Sequence, residues 1–503
     1  MSILLAAIGL FFILLVYDLN QRKHAILRNF PILGHFRYLF EAVGPELRQY
    51  IVTSNTEERP FSREQRSWIY ASSKRENNYS GFGTDRELEL SPNYLVIKHS
   101  AFPLNSPRPG DPDYDPQYRL PSAKMLGGYR KRKKAFRPDS VVNISGMSFG
   151  SLSPNAVEAL NRGAKLAGCL QSTGEGGISP YHKRGGDLVW QIGTGYFGCR
   201  DAAGRFSMER FLETVASSQV RAIEIKLSQG AKPGLGGVLP AAKVTPEIAA
   251  IRGVRVGKDC ISPSSHTAFR DVDSMLDFVE KLADATGLPV GIKSAVGDQD
   301  FWGDLAYQLA NTGRSVDFIT IDGGEGGTGA APLVFTDHVA LPFKQGFSRV
   351  FREFAAAGLD DRIVFVGSGK LGLPESALFA FALGCDMVNV GREALMSIGC
   401  IQAQRCHTGH CPSGVATQNR WLMHGLDPQL KSARCANYVI TLRKELQQLS
   451  RACGMDHPSR VSGDHLEILD GHFAAKTVRE LFAYGPRNTF NSEQVGSGAF
   501  QGH

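Results

Sequence analysis

The sequence predicts an α/β fold, a (β/α)8 TIM barrel that begins near residue 139. Eight short runs rich in β-branched and apolar residues recur beyond this point, and each ends in glycine or polar residues. Helical patterns lie between several of these runs. A doubly wound open sheet is the alternative, but eight strands with polar groups at their carboxyl ends favour closure. The predicted strands span 141–147, 169–173, 188–193, 222–228, 289–295, 318–324, 363–369 and 387–392.

The intervening helices carry recognisable start and stop signals. Ser153 before Pro154 predicts an N-cap with proline at the first helical position. Glycines predict the ends of four helices, at Gly168, Gly287, Gly313 and Gly384. The spacing is uneven, because a long segment separates the fourth predicted strand from the fifth.

Composition limits the class of protein. The chain has 503 residues, 42% of them hydrophobic and 21% charged, which predicts a globular protein with a large core. Lys and Arg total 56 against 49 Asp and Glu, a net charge of +7. The single basic stretch, 130–134, has no interleaved aromatic residues, and we interpret it as a solvated or phosphate-facing loop. We therefore expect no nucleic-acid partner.

The first residues form an uncharged apolar run, 2–16, followed by Tyr17 and by the basic residues Arg22, Lys23 and Arg28. As a helix rising ~1.5 Å per residue this run is shorter than the roughly 30 Å of a hydrocarbon core. The order of apolar, aromatic and basic residues nevertheless favours a membrane-anchor helix over 1–17. We predict a single-pass cell-membrane protein with its catalytic part in the cytoplasm. An N-terminal core helix is the alternative.

Three further domains are predicted from changes in texture. Residues 18–138 mix aromatic and basic residues with Pro and Gly, and should form an irregular N-terminal region. Residues 139–425 should form the barrel together with a cysteine-containing loop. Residues 426–503 should form a C-terminal helical extension and tail.

Polar residues and glycines gather where the predicted strands end, at the mouth that carries the chemistry of such barrels. Glycine next to a cation follows strands seven and eight, the usual phosphate site. Lys293 ends an apolar run and should point into the mouth, beside a flavin or in a structural salt bridge. The candidate cofactor-binding residues are Ser145, Gly146, Ser172, Gln191, Lys226, Lys293, Gly323, Gly324, Gly369, Lys370, Gly391 and Arg392.

Three cysteines follow the last predicted strand. Cys400, Cys406 and Cys411 are spaced C-x5-C-x4-C, and proline follows the third. A compact loop of this kind is typical of iron–sulfur ligation. Zinc is the rival, with His407 or His410 as a fourth ligand, although the spacing is wider than in most zinc sites. Unliganded thiols are the last alternative.

Five motifs together carry a resemblance to a known family: SGMSFGSLS, STGEGGIS, IEIKLSQGAKPGLGG, IDGGEGGTGAAP and GCIQAQRCHTGHCPSGVATQ. From about residue 140 to 420 the chain resembles the FMN-binding synthase domain of the glutamate synthase large subunit, here in a stand-alone, membrane-anchored form. The resemblance implies a (β/α)8 barrel with FMN and a [3Fe-4S] cluster. It also implies that 2-oxoglutarate and ammonia, or an amine, are joined and reduced to L-glutamate or its analogue.

The resemblance also implies residue roles. The three cysteines would ligate the cluster, and Ser145, Gln191, Lys226 and Lys293 would surround the flavin ring. Lys232 and Arg252 would bind the 2-oxo acid. Glu175 and Lys232 would be catalytic, with Glu175 handling a proton or the incoming ammonia; a structural role for Glu175 is the alternative.

Two departures from the family pattern affect the expected substrate. Leu235 stands where the family usually has an acidic residue, and Val238 stands where it has glutamine. An amino-acid or amine dehydrogenase feeding membrane electron carriers is therefore one alternative, and a non-catalytic electron-transfer subunit is another. For the synthase reaction we expect a ferredoxin-like or membrane electron carrier as donor.

Overall fold

The computed structural model describes residues 2–50 and 55–485, with side chains over 5–44 and 55–485. Eight parallel strands close into a barrel, which confirms the predicted fold class. The tail beyond residue 485 lies outside the described residues. In chain order the barrel strands are β1 Val142–Ile144, β2 Gln171–Ser172, β3 Leu188–Ile192, β4 Val220–Lys226, β5 Val290–Ser294, β6 Phe318–Asp322, β7 Val364–Ser368 and β8 Met387–Val390.

Each barrel strand pairs with its sequence neighbours, and β8 pairs with β1 to close the ring. The closing register places Val390 opposite Ile144, so the open-sheet alternative is excluded. Lys226 pairs with Lys293 where β4 and β5 end. Parallel strands bring these carboxyl ends to one mouth, as the sequence predicts.

The helices begin and end as their caps require. The Ser153 hydroxyl accepts a hydrogen bond from the Ala156 amide at the start of helix Pro154–Ala167, and Gly168 ends it in the left-handed conformation. The α-helices are Ser2–Asn20, Ala25–Asn29, Leu33–Tyr50, Arg63–Lys74, Pro154–Ala167, Met208–Ala216, Pro246–Arg252, Val272–Thr286, Asp300–Asn311, Leu333–His338, Phe343–Ala356, Pro374–Leu383, Arg392–Ser397, Arg420–His424, Pro428–Ala452 and Val478–Leu481.

The long segment between β4 and β5 folds over the mouth. Its short strands Val238–Leu239 and Cys260–Ile261 pair antiparallel, and helix Pro246–Arg252 lies between them in the chain. Helix Val272–Thr286 then leads to β5. This insertion brings Lys232 and Arg252 to the site.

The N-terminal region is more regular than predicted. Helices Ala25–Asn29, Leu33–Tyr50 and Arg63–Lys74 occupy part of the region predicted to be irregular. The last of these begins at a capping box in which Ser62 and Gln65 satisfy each other's backbone amides. Strand Tyr94–Ile97 adds to a small sheet by pairing with Leu466–Leu469.

The first residues form helix Ser2–Asn20. Over 2–50 and 55–485, no helix combines the length and the apolar character that crossing a membrane requires. The anchor over 1–17 therefore stays a prediction.

The C-terminal extension contains a long helix, Pro428–Ala452, that packs along Pro154–Ala167. The two helices approach closely at Gly163, where a Cβ would lie 2.6 Å from the Cβ of Cys435. The basic stretch 130–134 is also structural in part, because the Arg132 guanidinium forms ion pairs with Glu280 and Asp317. These contacts lie at the start of β6, at the end of the barrel opposite the mouth.

Candidate active site

A charged pair occupies the mouth of the barrel. Lys226, at the end of β4, lies with its Nζ 2.9 Å from Oε1 of Glu175, in the loop after β2. Burial alone raises the pKa of Glu175, but the positive charges of Lys226, Lys232 and Arg252 outweigh it and lower the pKa. Glu175 is therefore an anion at neutral pH.

The two predicted substrate-binding cations lie beside this pair. Lys232 is buried and donates a hydrogen bond to the carbonyl oxygen of Gly236 at 2.9 Å. Burial also lowers the pKa of Lys232, although the charge of Glu175 opposes the change. Arg252 donates to the Phe149 carbonyl at 3.0 Å, while its buried Nε has no partner among the described residues. Both cations therefore lie within electrostatic reach of Glu175.

A polar cradle lies across the mouth on β1, β2 and β3. A Cβ at Gly146 would lie 2.9 Å from both the Gln191 amide nitrogen and the Ser172 hydroxyl. The Ser172 hydroxyl is buried and has no hydrogen-bond partner among the described residues. Ser145 precedes Gly146 and lies next to Gly391 across the β1–β8 seam. These predicted residues are thus brought together, with a free donor turned toward them.

Sequence reasoning missed a buried carboxylate under this cradle. Glu224, one layer below Lys226 on β4, accepts a hydrogen bond from the Gln191 side chain at 2.5 Å and one from the Thr320 hydroxyl at 2.7 Å. An isolated acidic residue within the apolar run of β4 was the sequence feature that could have revealed it. The Glu224 carboxylate orients the Gln191 amide.

Lys293 lies in the mouth and also has a carboxylate partner, as expected for the alternative of a structural salt bridge. Its Nζ is 3.6 Å from Oδ2 of Asp322, and the same oxygen accepts the Gly230 amide at 2.9 Å. Burial raises the pKa of Asp322, but the Lys293 charge and the Gly230 hydrogen bond outweigh it and lower the pKa. Asp322 therefore ties β5, β6 and the loop after β4 together.

The predicted phosphate corner comprises the loops after β7 and β8, and the loop after β6 packs against it. Gly369 adopts φ +123°, and a Cβ there would lie 3.1 Å from the amide nitrogen of Gly323. Gly324 donates to the carbonyl oxygen of Leu341. Arg392 reaches the backbone of the same loop, where its guanidinium donates to the Glu325 carbonyl.

An N-terminal residue that sequence reasoning did not single out covers this corner. The buried ring of Phe61 lies 5.1 Å from the Lys370 ammonium and 5.0 Å from the Arg392 guanidinium. Lys370 also donates to the carbonyl oxygen of Pro60 at 2.5 Å. Lys370 therefore holds the N-terminal segment, while Arg392 faces the glycine loop.

The three clustered cysteines lie together beside the mouth. Burial raises the pKa of the Cys400 thiol to about 12, and the Cys406 and Cys411 thiols lie within electrostatic reach of it. Lys243 lies within electrostatic reach of Cys406 and Cys411, and donates to the carbonyl oxygen of Cys406 at 2.8 Å.

The loop of these cysteines contacts the phosphate corner. A Cβ at Gly329, in the glycine-rich loop after β6, would lie 3.2 Å from the Cβ of Cys406. On the other side, Gln402 exchanges hydrogen bonds with the backbone of Phe61, each 3.0 Å. The cysteine loop is therefore in contact with the loop after β6 and with Phe61, both of which also border the predicted flavin site.

Among the described residues, no group of three or more His, Cys, Asp or Glu side chains is arranged to hold a single metal ion. His410 turns its Nδ1 toward the Thr408 carbonyl, 3.0 Å away. The ligands of an iron–sulfur cluster bind different irons and stand further apart than those of one ion. This finding decides neither alternative, and the zinc site and the cluster both stay predictions.

A closed barrel with convergent charged groups at one mouth defines an enzyme of the (β/α)8 class. Residues 121–456 match the conserved region in glutamate synthase, and the chain belongs to that family of oxidoreductases.

Two relatives support this membership. The glutamate synthase large subunit-like protein YerD of Bacillus subtilis is 39% identical over 92% of this chain and 94% of that protein. An archaeal glutamate synthase [NADPH] of Methanocaldococcus jannaschii is 35% identical, and the match covers 65% of this chain but only 61% of that protein. Among solved structures, a mutant flavocytochrome b2 with pyruvate bound has a TM-score of 0.44 at 15% identity, covering 85% of this chain and 91% of that chain.

Proposed function

We propose that this protein is an FMN- and iron–sulfur-dependent oxidoreductase that reductively aminates a 2-oxo acid, 2-oxoglutarate to L-glutamate, with ammonia or an amine. The observation that carries the proposal is the Glu175–Lys226 pair, flanked by Lys232 and Arg252 at the mouth that also holds Lys293. Family membership supports the reaction class.

FMN fits the residues present. The buried, unpartnered Ser172 hydroxyl and the bare Gly146 backbone leave a polar cradle for a flat heteroaromatic ring. Gly369, Gly391 and the Arg392 guanidinium would hold the phosphate. Lys293 would place its charge beside the ring. Bound there, the flavin supplies the hydride that reduces the imine.

The thiols fit a [3Fe-4S] cluster. Cys400, Cys406 and Cys411 lie within electrostatic reach of one another. Binding iron displaces the thiol protons, and the cation of Lys243 would offset part of the negative charge of the site. The contact of Gly329 with Cys406 would place the cluster beside the flavin.

The remaining chemistry belongs to side chains. Condensation of the 2-oxo acid with ammonia forms an imine and releases water, and reduction then adds a hydride to carbon and a proton to nitrogen. Glu175 is ionised and a weak base, so its role is to hold ammonium or the developing iminium by charge. Lys232, whose pKa burial lowers, exchanges the proton. Arg252 and Lys232 would bind the carboxylates.

A second candidate is oxidation of an amino acid or N-alkylamino acid into a membrane electron carrier. Leu235 and Val238 are 37% and 42% exposed, and Gly237 between them contacts Glu175. They make the entrance apolar where the synthase pattern has polar residues, which favours an N-alkyl substituent.

One assay separates the two directions. Anaerobically purified protein with reduced ferredoxin, 2-oxoglutarate and ammonia should form L-glutamate, measured by chromatography. A Cys406→Ser variant should lose the cluster's low-temperature resonance signal and ferredoxin-driven turnover, while Cys453→Ser, a buried thiol outside the loop, should retain both. Glutamate absent from the wild-type reaction, together with quinone-dependent amine oxidation, would replace the first proposal by the second.

The location is proposed separately. Large apolar side chains on helix Ser2–Asn20 are exposed, among them Leu10, Phe12 and Ile13 at 69%, 62% and 66%. With basic residues following, these side chains support a single-pass anchor in the cell membrane, with the catalytic part on the cytoplasmic side. A membrane electron carrier would then be accessible.

A further inference from the structure

A second apolar face lies on helix Leu33–Tyr50. Positions three, six, seven and ten residues after Leu33 share one side of a helix with it. Over 33–44, where the structure describes the side chains of this helix, the five at these positions are large or β-branched apolar groups, and all are exposed: Leu33 69%, Phe36 55%, Leu39 55%, Phe40 63% and Val43 39%. They define an outer stripe.

The opposite side of this helix packs on the protein. A Cβ at Gly34 would lie 3.0 Å from the Cδ2 atom of Leu27, and the Tyr38 ring meets the His24 ring edge-on at 5.1 Å. A surface helix in water normally turns its apolar stripe inward. Here a polar and small-residue side faces the body, and the outer stripe faces away.

A buried carboxylate fixes this orientation. Asp18, 0% exposed, accepts the Ile32 amide at 2.8 Å and lies 2.9 Å from Nε2 of His35. Asp18 belongs to helix Ser2–Asn20, so the first helix is tied to the start of helix Leu33–Tyr50. The outer stripe is thus held in fixed relation to the other exposed apolar helix.

Positive charge accompanies these surfaces. Arg22 and Lys23, in the turn after the first helix, are exposed. The nearest carboxylate to Arg22 is Asp427 at 3.6 Å, with the arginine side chain still 69% exposed. Exposed Leu and Phe side chains beside basic residues are the composition of helices that lie in the surface of an anionic bilayer.

We propose that helix Leu33–Tyr50 lies in the plane of an anionic lipid surface, with Leu33, Phe36, Leu39, Phe40 and Val43 inserted among the lipids. The fixed junction at Asp18 makes this helix a second membrane contact that sets the orientation of the barrel above the bilayer. The inference extends the proposed location and does not depend on the proposed chemistry.

Vesicle flotation of the full-length, flavin-loaded chain tests the proposal. Phe36→Asp/Phe40→Asp should bind vesicles of phosphatidylcholine and phosphatidylglycerol at least about tenfold more weakly than wild type, because two aromatic side chains no longer insert. The matched control, Leu166→Asp/Tyr307→Asp, changes two exposed side chains on barrel helices, 51% and 68% exposed, and should bind like wild type. An unchanged far-ultraviolet circular dichroism spectrum and thermal midpoint report intact folding of each variant.

Three outcomes decide between the alternatives. Undiminished flotation of Phe36→Asp/Phe40→Asp would overturn the proposal. So would a wild-type dimer in vesicle-free sedimentation that this variant converts to monomer, since a second copy would then cover the outer stripe. Leu10→Asp/Ile13→Asp tests the first helix alone. Full binding by this variant, with weak binding by Phe36→Asp/Phe40→Asp, would contradict the proposed anchor and support insertion of the outer stripe.

Discussion

The Glu175 carboxylate lies between two glycines. A Cβ added at Gly193 would lie 2.5 Å from one carboxylate oxygen, and a Cβ added at Gly237 would lie 2.6 Å from the other. The carboxylate can therefore approach both backbones without obstruction. On its other side it meets the Lys226 ammonium. In the proposed reaction this fixed carboxylate is positioned to pair with ammonium or an iminium group.

Replacing this anion should affect turnover more than cofactor binding. Glu175→Gln keeps the size of the side chain but removes its charge, and we expect kcat to fall by roughly 10²–10³-fold while FMN content is unchanged. Because the pKa of Glu175 is lowered, its carboxylate should stay ionised above about pH 4.5. The wild-type rate should therefore show no loss from protonation of Glu175 above that pH. Steady-state rates between pH 5 and 9, with flavin absorbance as the loading control, measure both effects.

Glu247→Gln serves as the matched control, since that carboxylate is exposed on the outer side of helix Pro246–Arg252. Its rate should match wild type. A Glu175→Gln enzyme of wild-type kcat would assign Glu175 a purely structural role, the alternative that the sequence leaves open.

Residues of the site were predictable where strand position determines them. Lys226, Lys293 and Gln191 end apolar runs, so period and polarity indicate where they point. The partners of these residues were harder to predict from the sequence, because the pairing of Lys293 with Asp322 depends on the register between two strands. Phe61 was not predictable, since its contact with Arg392 joins positions far apart in the chain.

At the level of elements, the close contact of helices Pro154–Ala167 and Pro428–Ala452 provides a stability test. A Cβ at Gly163 would lie 2.6 Å from the Cβ of Cys435 and 2.9 Å from its sulfur, both buried. Gly163→Ala should therefore separate the helices and lower the free energy of unfolding by about 1–3 kcal/mol. Urea denaturation of the flavin-loaded protein measures the change.

Gly303 gives the opposite expectation with the same substitution. It lies within helix Asp300–Asn311, and the nearest atom to its added Cβ is a Glu353 oxygen at 3.8 Å. Gly303→Ala should raise the free energy of unfolding by roughly 0.5–1 kcal/mol through helix propensity. Equal changes in the free energy of unfolding of Gly163→Ala and Gly303→Ala would show that the close helix contact at Gly163 does not disfavour a larger side chain.

The elements of the barrel followed from the sequence, whereas those around it did not. Parallel strands buried on both faces leave a clear apolar pattern, and β8 was predicted from the run MVNVGR at 387–392. Helix Leu33–Tyr50 has its apolar stripe turned outward, so its amphipathic pattern indicates no core contact. Strand Tyr94–Ile97 pairs with residues near the other end of the described chain, a contact without a local signal.

On the scale of the whole molecule, the N-terminal region connects the phosphate corner to the cysteine loop. Phe61 lies under Lys370 and Arg392, and its backbone exchanges hydrogen bonds with Gln402 between Cys400 and Cys406. Tyr70 donates to the Cys400 carbonyl at 2.9 Å. The barrel alone would leave both sites open on this side, so the N-terminal region completes them.

Two buried histidines should make the whole protein sensitive to mild acid. Burial lowers the pKa of His182 to about 3 and that of His266 to about 4, against 6.5 for the ordinary side chain. The unfolded chain therefore takes up protons below pH 6.5 that the folded chain does not. The free energy of unfolding should decrease as the pH falls from about 6.5 toward 4, by about 1.4 kcal/mol per pH unit for each histidine.

A substitution that keeps the hydrogen bond but cannot titrate isolates one of these contributions. The Nδ1 atom of His182 accepts the Ser179 amide at 3.1 Å, and the side-chain oxygen of asparagine can replace it. Urea denaturation of flavin-loaded His182→Asn between pH 6.5 and 5 should therefore show a pH slope smaller than wild type by about 1.4 kcal/mol per unit. The exposed His472→Asn should keep the wild-type slope. If His182→Asn kept it as well, the histidine would be protonated in the folded protein, which its burial in the core opposes.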